Sequence, residues 1–373
     1  MSSFAVTIRE IEAVWTHPNA DRLDLCRVKG LDYQFVYARD QLKVGDLVAY
    51  FPVDSLIKDE LIEIMGLTGK LSGKGHNKVK TVKLRDCISQ GVVAPEEQIH
   101  QYLQKYKDGD QSFVVGMDVT DLLEVEKYYP PEIPCACGNL VPLPSGNSVY
   151  DIEGCDNHPD ILSLLMDESV CVTEKLEGQN YSITYTSEGT FQVNQRCYSI
   201  VEVPAEGKEN TLWAVARRNY LLDLTRDICV HGGFKTITLY GELIGFGVEG
   251  NIYGLTDHKV LFYDIYADYH WLDVSNKFHL ISEEGSSDLL VPVLVCGVTL
   301  REYLGEKTIK EASHGISRLK PLPTLQKQIV SKKNPECLRE GIVITPMIEK
   351  RHEEIGRLIL KQRDPIYLAN QKD

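Results

Sequence analysis

The stretch Thr173-Glu174-Lys175-Leu176-Glu177-Gly178-Gln179-Asn180 decides how this chain is interpreted. Its lysine stands between two β-rich runs, at residues 170–173 and 181–185, so we expect it at the end of a strand. Taken alone, Lys-x-Glu-Gly is a short motif that occurs by chance, and a solvated charged turn is its ordinary interpretation. The rest of the sequence has to decide whether this lysine has a chemical role.

Further charged side chains lie inside or at the end of apolar runs. Glu242 interrupts the run Leu-Tyr-Gly-Glu-Leu-Ile, and Glu340 opens Glu-Gly-Ile-Val-Ile. Lys361 and Arg363 follow the apolar residues 358–360. Burial of a charged group is costly unless the group is paired or holds a ligand. Charges of both signs in one domain predict a site for a polyanion and a metal ion, with internal salt bridges as the competing interpretation.

The order of these segments resembles the covalent nucleotidyltransferase superfamily, which contains ATP-dependent DNA and RNA ligases and mRNA capping enzymes. Lys175 to Gly178 resembles motif I of that superfamily, with Lys175 at the place of the nucleophile. Arg196 is similar to the motif Ia arginine, and Glu242 is similar to the motif III acid. Each motif is weak by itself, but the ordered set covers nearly all of residues 150–373.

The later motifs extend the resemblance to the end of the chain. Phe262, in Val-Leu-Phe-Tyr-Asp-Ile, resembles the motif IIIa aromatic that stacks on the base, with Tyr263 as its neighbour. Glu340 resembles motif IV, and Lys361 resembles motif V. Arg363 takes the second place of the usual Lys-x-Lys, so a cation is retained there.

The resemblance implies a catalytic set and a nucleotide-binding set. Lys175, Lys361 and Glu340 are the implied catalytic residues, ATP is the implied AMP donor, and Glu340 is the implied ligand of Mg²⁺ or Mn²⁺. The implied nucleotide-binding residues are Glu174, Glu177, Gly178, Asn180, Arg196, Glu242, Phe262 and Arg363.

The first part of the chain reads differently, as short strands at the spacing of a small barrel. Residues 17–24, His-Pro-Asn-Ala-Asp-Arg-Leu-Asp, resemble the opening of tRNA-binding oligonucleotide-binding (OB) folds. A segment without acids from 70 to 85 contains Lys78, Lys80, Lys83 and Arg85. We expect these four on a basic strand that follows an RNA backbone, or on an edge strand kept cationic against aggregation.

The predicted fold is α+β. An OB-like RNA-binding barrel at 1–126 is followed by a proline-rich linker at 127–147, because prolines lock the backbone and end regular elements. Residues 148–373 are expected to form a nucleotidyltransferase domain, an ATP-grasp-like ligase domain with antiparallel sheets. An N-terminal barrel before a bare catalytic domain resembles the Deinococcus-type RNA ligases.

The implied function is an ATP-dependent RNA ligase that joins 3′-OH and 5′-phosphate ends through lysyl–AMP and adenylylated RNA, at nicks with an RNA 3′-OH strand. Two alternatives stay open. One is an RNA capping guanylyltransferase, which would label Lys175 with GMP, and the other is a non-catalytic RNA-binding protein with a degenerate nucleotidyltransferase domain.

Composition limits the partners and the compartment. The 373 residues carry a formal net charge of −14, so RNA binding has to be local. No run is long and apolar enough for a membrane span, no secretory signal is recognised, and the 10 cysteines are too scattered for a disulfide scaffold. We expect a cytoplasmic monomer that binds RNA or an RNA-containing nicked duplex and no membrane, with a nuclear or organellar location as the alternative.

Overall fold

The structure is a computed structural model that describes residues 4–107, 111–129, 140–144, 146–147, 149–202, 210–285, 287–319 and 337–371. It divides into two compact units. The described residues of one unit lie within Ser2–Pro131, Gly154–Leu162 and Pro365–Asp373, and those of the other lie within Glu132–Glu153 and Ser163–Asp364.

The N-terminal part contains short antiparallel strands and two helices. They are β1 (Thr7–Thr16), β2 (Leu23–Val28), β3 (Gln34–Ala38), β4 (Leu47–Phe51), β5 (Ser55–Leu56), α1 (Asp59–Ile64), β6 (Val82–Leu84), β7 (Cys87–Ser89), β8 (Val92–Pro95), α2 (Glu96–Tyr106) and β9 (Glu126–Lys127). One sheet has the order β3-β2-β1-β4-β8, while β5 pairs with β9 and β6 with β7. Side chains alternate along β1, so Ile8 is buried in one core cluster and Ile11, three residues on, in another. The curved sheet therefore has apolar packing on both faces.

The basic segment is not one continuous strand, contrary to expectation. Lys78 Nζ lies 3.4 Å from Asp54 Oδ1 and 3.6 Å from the centre of the Tyr128 ring, and Lys80 Nζ donates to the backbone carbonyl of Gln371. Only Val82–Leu84 forms a strand, which turns back at Arg85 and Asp86, both with positive φ. Two of the four cations are thus engaged in internal packing, and Lys83 and Arg85 remain at an exposed hairpin tip.

The rest of the chain contributes helices and longer antiparallel strands. They are β10 (Leu140–Pro142), β11 (Glu153–Gly154), α3 (Pro159–Leu165), β12 (Ser169–Lys175), β13 (Gln179–Thr186), β14 (Phe191–Asn194), β15 (Tyr198–Ile200), α4 (Thr211–Arg218), α5 (Leu221–His231), β16 (Thr236–Ile244), β17 (Lys259–Ala267), β18 (His270–Trp271), α6 (Val274–Glu283), β19 (Val293–Thr299), α7 (Leu300–Leu304), α8 (Ile309–Ser313), β20 (Gly341–Pro346), β21 (Arg351–His352), β22 (Gly356–Arg357), β23 (Leu360–Arg363) and α9 (Pro365–Asn370). Short 3-10 turns occur at Cys155–Asn157 and Ser287–Leu289.

Two antiparallel sheets dominate this part. Their orders are β10-β15-β14-β13-β16-β17-β18 and β11-β23-β20-β12-β19. Helices α4, α5 and α6 cover the apolar face of the first sheet, in a core that includes Trp213, Ile228, Phe262 and Ile281. The α+β class with antiparallel sheets is confirmed. The opposite face of the first sheet and one face of the second are left to form a cavity.

The unit boundaries differ from the predicted domains. The described residues of Gly154–Leu162 and Pro365–Asp373 pack in the N-terminal unit, although the sequence predicted a catalytic domain that runs without interruption over 148–373. Helix α9 buries Pro365 and Tyr367, and the residue after its end accepts the Lys80 hydrogen bond. Most of the predicted linker, at 130–139 and 145, lies outside the described residues.

Candidate active site

The floor of the cavity is the face shared by β12 and β20. Side chains alternate along a strand, so Cys171, Thr173 and Lys175 point to the same side. The antiparallel register sets Cys171 opposite Thr345, Thr173 opposite Val343, and Lys175 opposite Gly341. All of these residues except Gly341 line one cavity. Lys361 on β23, which pairs with Val343 of β20, lines it as well.

Lys175 ends β12 beside a carboxylate. Its Nζ donates to Glu340 Oε2 at 2.7 Å, and the two side chains are 25% and 13% exposed. Their meeting follows from register, because Glu340 directly precedes the partner of Lys175 in β20. A β-carbon at Gly341 would lie 2.1 Å from the Gln362 carbonyl oxygen, so only glycine lets β23 approach here. The structure thus brings together residues from three distant parts of the chain.

A second carboxylate enters the cavity from the other sheet. Asn180 on β13 pairs with Glu242 on β16, and both line the cavity. Gly178 makes the close approach of the chain before β13 to β16 possible, because a β-carbon there would meet the Leu243 carbonyl oxygen at 2.4 Å. Gly178 therefore brings two strands together and does not itself line the cavity.

Burial shifts the pKa values of two groups in opposite directions. It raises the pKa of Glu242 to about 8, with Glu340 adding to the rise and Lys175 opposing it. Burial also lowers the pKa of Lys361 to about 8, and the neighbouring Arg363 and Lys175 charges lower it further. Each group thus has a like charge nearby, Glu340 beside Glu242 and both Arg363 and Lys175 beside Lys361.

These shifts predict a minimum in stability near pH 8. As pH rises from about 4.5 to 8, the unfolded chain loses the Glu242 proton that the folded chain keeps, so stability falls. As pH rises from 8 towards 10.5, the folded chain has lost the Lys361 proton that the unfolded chain keeps, so stability rises. Glu242→Gln should remove the falling limb, and urea unfolding from pH 5 to 10 would measure it. Parallel pH profiles for wild type and Glu242→Gln would contradict the burial of this carboxylate.

The remaining predicted residues occupy different places. Arg196, in the turn between β14 and β15, lines the cavity and donates to Asp151 Oδ2 at 3.1 Å. Arg363 lies next to Lys361 but outside the cavity wall, where its charge acts on the Lys361 pKa. Arg196 thus faces the cavity directly, whereas Arg363 acts through Lys361.

The two glutamates that flank Lys175 do not present their carboxylates to a ligand in this structure. Glu174 is 2% exposed and accepts hydrogen bonds from the Ser317 hydroxyl and the Arg318 backbone nitrogen. Glu177 Oε1 accepts from the Gly250 backbone nitrogen at 3.3 Å. Both carboxylates hold loops around the nucleophile strand, Glu174 also lines the cavity, and a contact of either residue with the nucleotide stays a prediction.

Phe262 does not lie in the cavity, contrary to expectation. It is fully buried in the core on the other face of its sheet, and its neighbour Tyr263 lines the cavity. Neighbouring residues of a strand face opposite sides, so Tyr263 faces the cavity when Phe262 faces the core. A β-bulge, at which Tyr240 pairs with Asp264 and Gly241 with Phe262, makes Tyr263 an extra residue and turns Asp264 away from the core as well.

The sequence interpretation missed a polar group behind Tyr263. Asp264, 1% exposed, accepts from Tyr150 at 2.8 Å, from Arg357 Nη1 at 2.9 Å and from Lys277 Nζ at 3.0 Å. Tyr150 and Lys277 also line the cavity. The only sequence signal was an aspartate inside an apolar strand, and its partners come from distant segments that no local pattern connects.

The fold and the site define an OB-fold domain followed by a ligase domain. An OB-fold domain model matches residues 5–96, and the RNA ligase family model matches residues 168–363. The second match covers more than half of the chain and includes Lys175, Glu242, Glu340 and Lys361. The chain belongs to the RNA ligase family and is an enzyme of that family.

Solved structures of similar fold include the Naegleria gruberi RNA ligase. A variant with AMP and Mn is 23% identical, covers 99% of each chain and has a TM-score of 0.74. A variant with ATP and Mn is 23% identical, covers 98% of this chain and 99% of its own, and has a TM-score of 0.75. The enzyme with PPi is 23% identical, covers 100% and 99%, and has a TM-score of 0.75. At this identity the similarity concerns the fold, and no curated protein matches the chain.

No helix of the described residues has the length and apolar character that crossing a membrane requires.

Proposed function

We propose that this member of the RNA ligase family uses ATP to join 3′-OH and 5′-phosphate ends, through lysyl–AMP and adenylylated RNA, at nicks with an RNA 3′-OH strand. The observation that carries the proposal is Lys175 Nζ at 2.7 Å from Glu340, in a cavity that also contains Glu242 and Lys361. Solved structures of the Naegleria RNA ligase contain ATP, AMP or PPi, which supports ATP as the substrate. A closer relation to the Deinococcus-type ligases is part of the proposal.

In the first step, Lys175 Nζ forms a bond to the α-phosphorus of ATP, the bond between the α- and β-phosphates breaks, and pyrophosphate leaves. An ammonium group has no lone pair, so Lys175 has to lose a proton before it attacks. Glu340 Oε2 is the acceptor in hydrogen-bond contact with that nitrogen. The same register that forms β12 and β20 therefore supplies both nucleophile and proton acceptor.

In the second step, an oxygen of the RNA 5′-phosphate attacks the AMP phosphorus and the bond to Lys175 breaks. In the third, the 3′-OH attacks the adenylylated phosphate and AMP leaves. Each step displaces a group at phosphorus, so positioning and charge neutralisation dominate. Lys361 and Arg196 line the cavity and are the cations placed to neutralise phosphate oxygens.

The donor set fits a hard divalent cation. Among the described residues, no group of three or more His, Cys, Asp and Glu side chains could hold a metal ion alone. Mg²⁺ and Mn²⁺ are commonly held by one or two carboxylates together with substrate phosphates and water, and Glu340 with Glu242 provides such carboxylates. When bound, the cation neutralises phosphate charge, and Glu340 is the residue that would hold it.

Among the described residues, the aromatic side chains that line the cavity are Tyr263, Tyr150 and Phe278, and the ring centroids of Tyr263 and Tyr150 are 4.9 Å apart. Tyr263 OH also accepts a hydrogen bond from Asn180 Nδ2 at 2.9 Å, which fixes the ring. We therefore transfer the proposed contact with adenine from Phe262 to Tyr263.

RNA binding by the N-terminal unit remains a proposal that rests on Lys83 and Arg85 at the hairpin tip. The Arg85 carbonyl accepts from Asn19 Nδ2, and His17 Nε2 contacts the Leu84 carbonyl oxygen at 3.1 Å. The His-Pro-Asn segment therefore holds the tip of this hairpin, where Lys83 Nζ also lies 3.1 Å from Asp86 Oδ1. Charges fixed in this way could follow a phosphate backbone without reading its sequence.

Labelling with α-³²P nucleotides followed by a ligation panel tests the proposed function. We expect an acid-labile, alkali-stable protein–AMP adduct with ATP and none with GTP, and then sealing of a nick that has an RNA 3′-OH strand and a 5′-phosphate. The control is the same nick with a 5′-OH end, which cannot accept AMP. A GMP adduct would favour a capping guanylyltransferase, and the absence of any adduct would favour a non-catalytic RNA-binding protein.

A further inference from the structure

Lys277 is a buried cation in the cavity wall that the proposed chemistry does not use. It lies on α6, its side chain is 4% exposed, and it lines the same cavity as Lys175. Its ammonium makes one hydrogen bond to the described residues, to Asp264 Oδ1 at 3.0 Å. An ammonium has three donors, so two N–H groups of Lys277 have no partner within the described part of the chain.

The ion pair with Asp264 uses one of the three N–H groups of Lys277. Arg357 shares one positive charge between Asp264, at 2.9 Å, and Glu349, at 2.7 and 2.8 Å, so Lys277 balances the second carboxylate and still has donors left over. A buried polar group with unused donors is costly, and a ligand that accepts hydrogen bonds would remove part of that cost. Lys277 is therefore better explained by a ligand than by the ion pair alone.

The position of Lys277 shows which part of a ligand it would meet. The Val274 backbone nitrogen at the start of α6 donates to the Met347 carbonyl at 3.2 Å, and the Met347 nitrogen donates to the Ser169 carbonyl at 2.9 Å, two residues before Cys171. These bonds place α6, with Lys277, at the Cys171 end of the cavity. Cys171 and Lys175 face the same side of β12, about 13 Å apart along the strand. This span is comparable to an extended nucleoside monophosphate. With the α-phosphate at Lys175, the base reaches the end where Lys277 lies.

The surroundings at that end suit a base. Val274 and Phe278 from α6, Val291, and Val343 from β20 line the cavity with apolar side chains. Lys277 is the charged donor among them, and apolar walls with a few placed polar groups are typical of small-molecule sites.

We propose that Lys277 is a base-binding residue, whose ammonium donates a hydrogen bond to a ring-nitrogen acceptor of adenine. The inference rests on the proposed use of ATP at Lys175. A lysine can only donate, so it fits N1, N3 or N7 of adenine and cannot accept from the 6-amino group. The Asp264 carboxylate and the aromatic side chains around it hold the ammonium in place for this contact.

The test compares ATP with 1-deaza-, 3-deaza- and 7-deaza-ATP, each of which replaces one ring nitrogen by C–H. Single-turnover formation of the protein–AMP adduct would be measured for each nucleotide. In the wild type, one analogue should react roughly ten- to a hundredfold less efficiently than ATP, the loss expected for a hydrogen bond to a charged donor. Lys277→Met should show a similar loss with ATP and no further loss with that analogue.

Lys259→Met is the matched control, because Lys259 lies on β17 outside the cavity wall, with its side chain 37% exposed. It should discriminate among the analogues as the wild type does. Lys277→Arg keeps a cation beside Asp264 but cannot place an N–H at the same point, so its ratio of ATP to the affected analogue should change. This variant decides the question if Lys277→Met does not fold.

The outcomes separate the two proposals. If wild-type protein forms no adduct with ATP, the proposed function fails. If the adduct forms and all three analogues react like ATP, or the Lys277 variants keep the wild-type discrimination, then Lys277 is a structural ion pair and this inference is overturned.

Discussion

Lys175→Ala should abolish adduct formation with ATP and the sealing of a 5′-phosphate nick. The expected loss is on the order of 10⁴-fold or more, since removal of a covalent nucleophile leaves only binding and charge stabilisation. Sealing of a chemically pre-adenylylated nick should survive in part, because that substrate enters after the lysine step. Adduct formation and sealing would be followed on gels with labelled ATP and labelled RNA.

Lys175→Arg is the stricter version of the same experiment. Its guanidinium keeps a positive charge that can pair with Glu340, but it stays protonated and cannot attack phosphorus. An inactive, stably folded Lys175→Arg protein would separate the nucleophile from a mere ion-pair partner. Substantial AMP labelling of either variant would remove Lys175 from its assigned role.

Glu340→Ala should lose roughly 10²- to 10³-fold in adduct formation, the scale of removing one preorganised electrostatic group from an active site. The carboxylate is the hydrogen-bond partner of Lys175 and the proposed holder of the divalent cation. Rates would be measured over a titration of Mn²⁺ and, separately, of Mg²⁺. Loss of the metal dependence, and not only of the rate, is the result that supports both roles.

Glu340→Gln separates charge from shape. The amide can still accept a hydrogen bond from Lys175 but carries no negative charge, so it should be nearly as inactive as Glu340→Ala. Thermal unfolding of both variants should stay close to wild type, because the Lys175 side chain is a quarter exposed and can reach water. Activity of Glu340→Gln near wild type, or extensive unfolding of both variants, would reduce this contact to a structural pair.

The sequence was informative where chemistry and local pattern coincide. Lys175, Glu242, Glu340 and Lys361 could be found because charged residues inside apolar strands are costly, and the order of such segments is distinctive. The antiparallel register then explains their meeting. Family resemblance supplied the roles, and the family match confirms the class of enzyme.

The sequence could not show the register of a strand or the contacts between distant segments. The resemblance to motif IIIa pointed to Phe262, but the segment Val-Leu-Phe-Tyr-Asp-Ile does not reveal the register that decides whether Phe262 or Tyr263 faces the cavity. A row of lysines looks the same whether or not Asp54 and the Gln371 carbonyl occupy two of its ammonium groups. Lys277 was missed for the same reason, because its partner Asp264 lies on another element.

The packing of α9 and residues 154–162 with the N-terminal strands has a consequence for protein synthesis. Domains usually fold as they leave the ribosome, N-terminal part first. Here the strands β1 to β8 are made early. Helix α9, which contacts the β6–β7 hairpin, is made after all the catalytic residues, and so is Gln371, which accepts the Lys80 hydrogen bond. The hairpin that carries Lys83 and Arg85 therefore gains its final support only when residues 365–371 have emerged. A nascent chain should complete its nucleotide cavity before it completes the surface proposed to hold RNA.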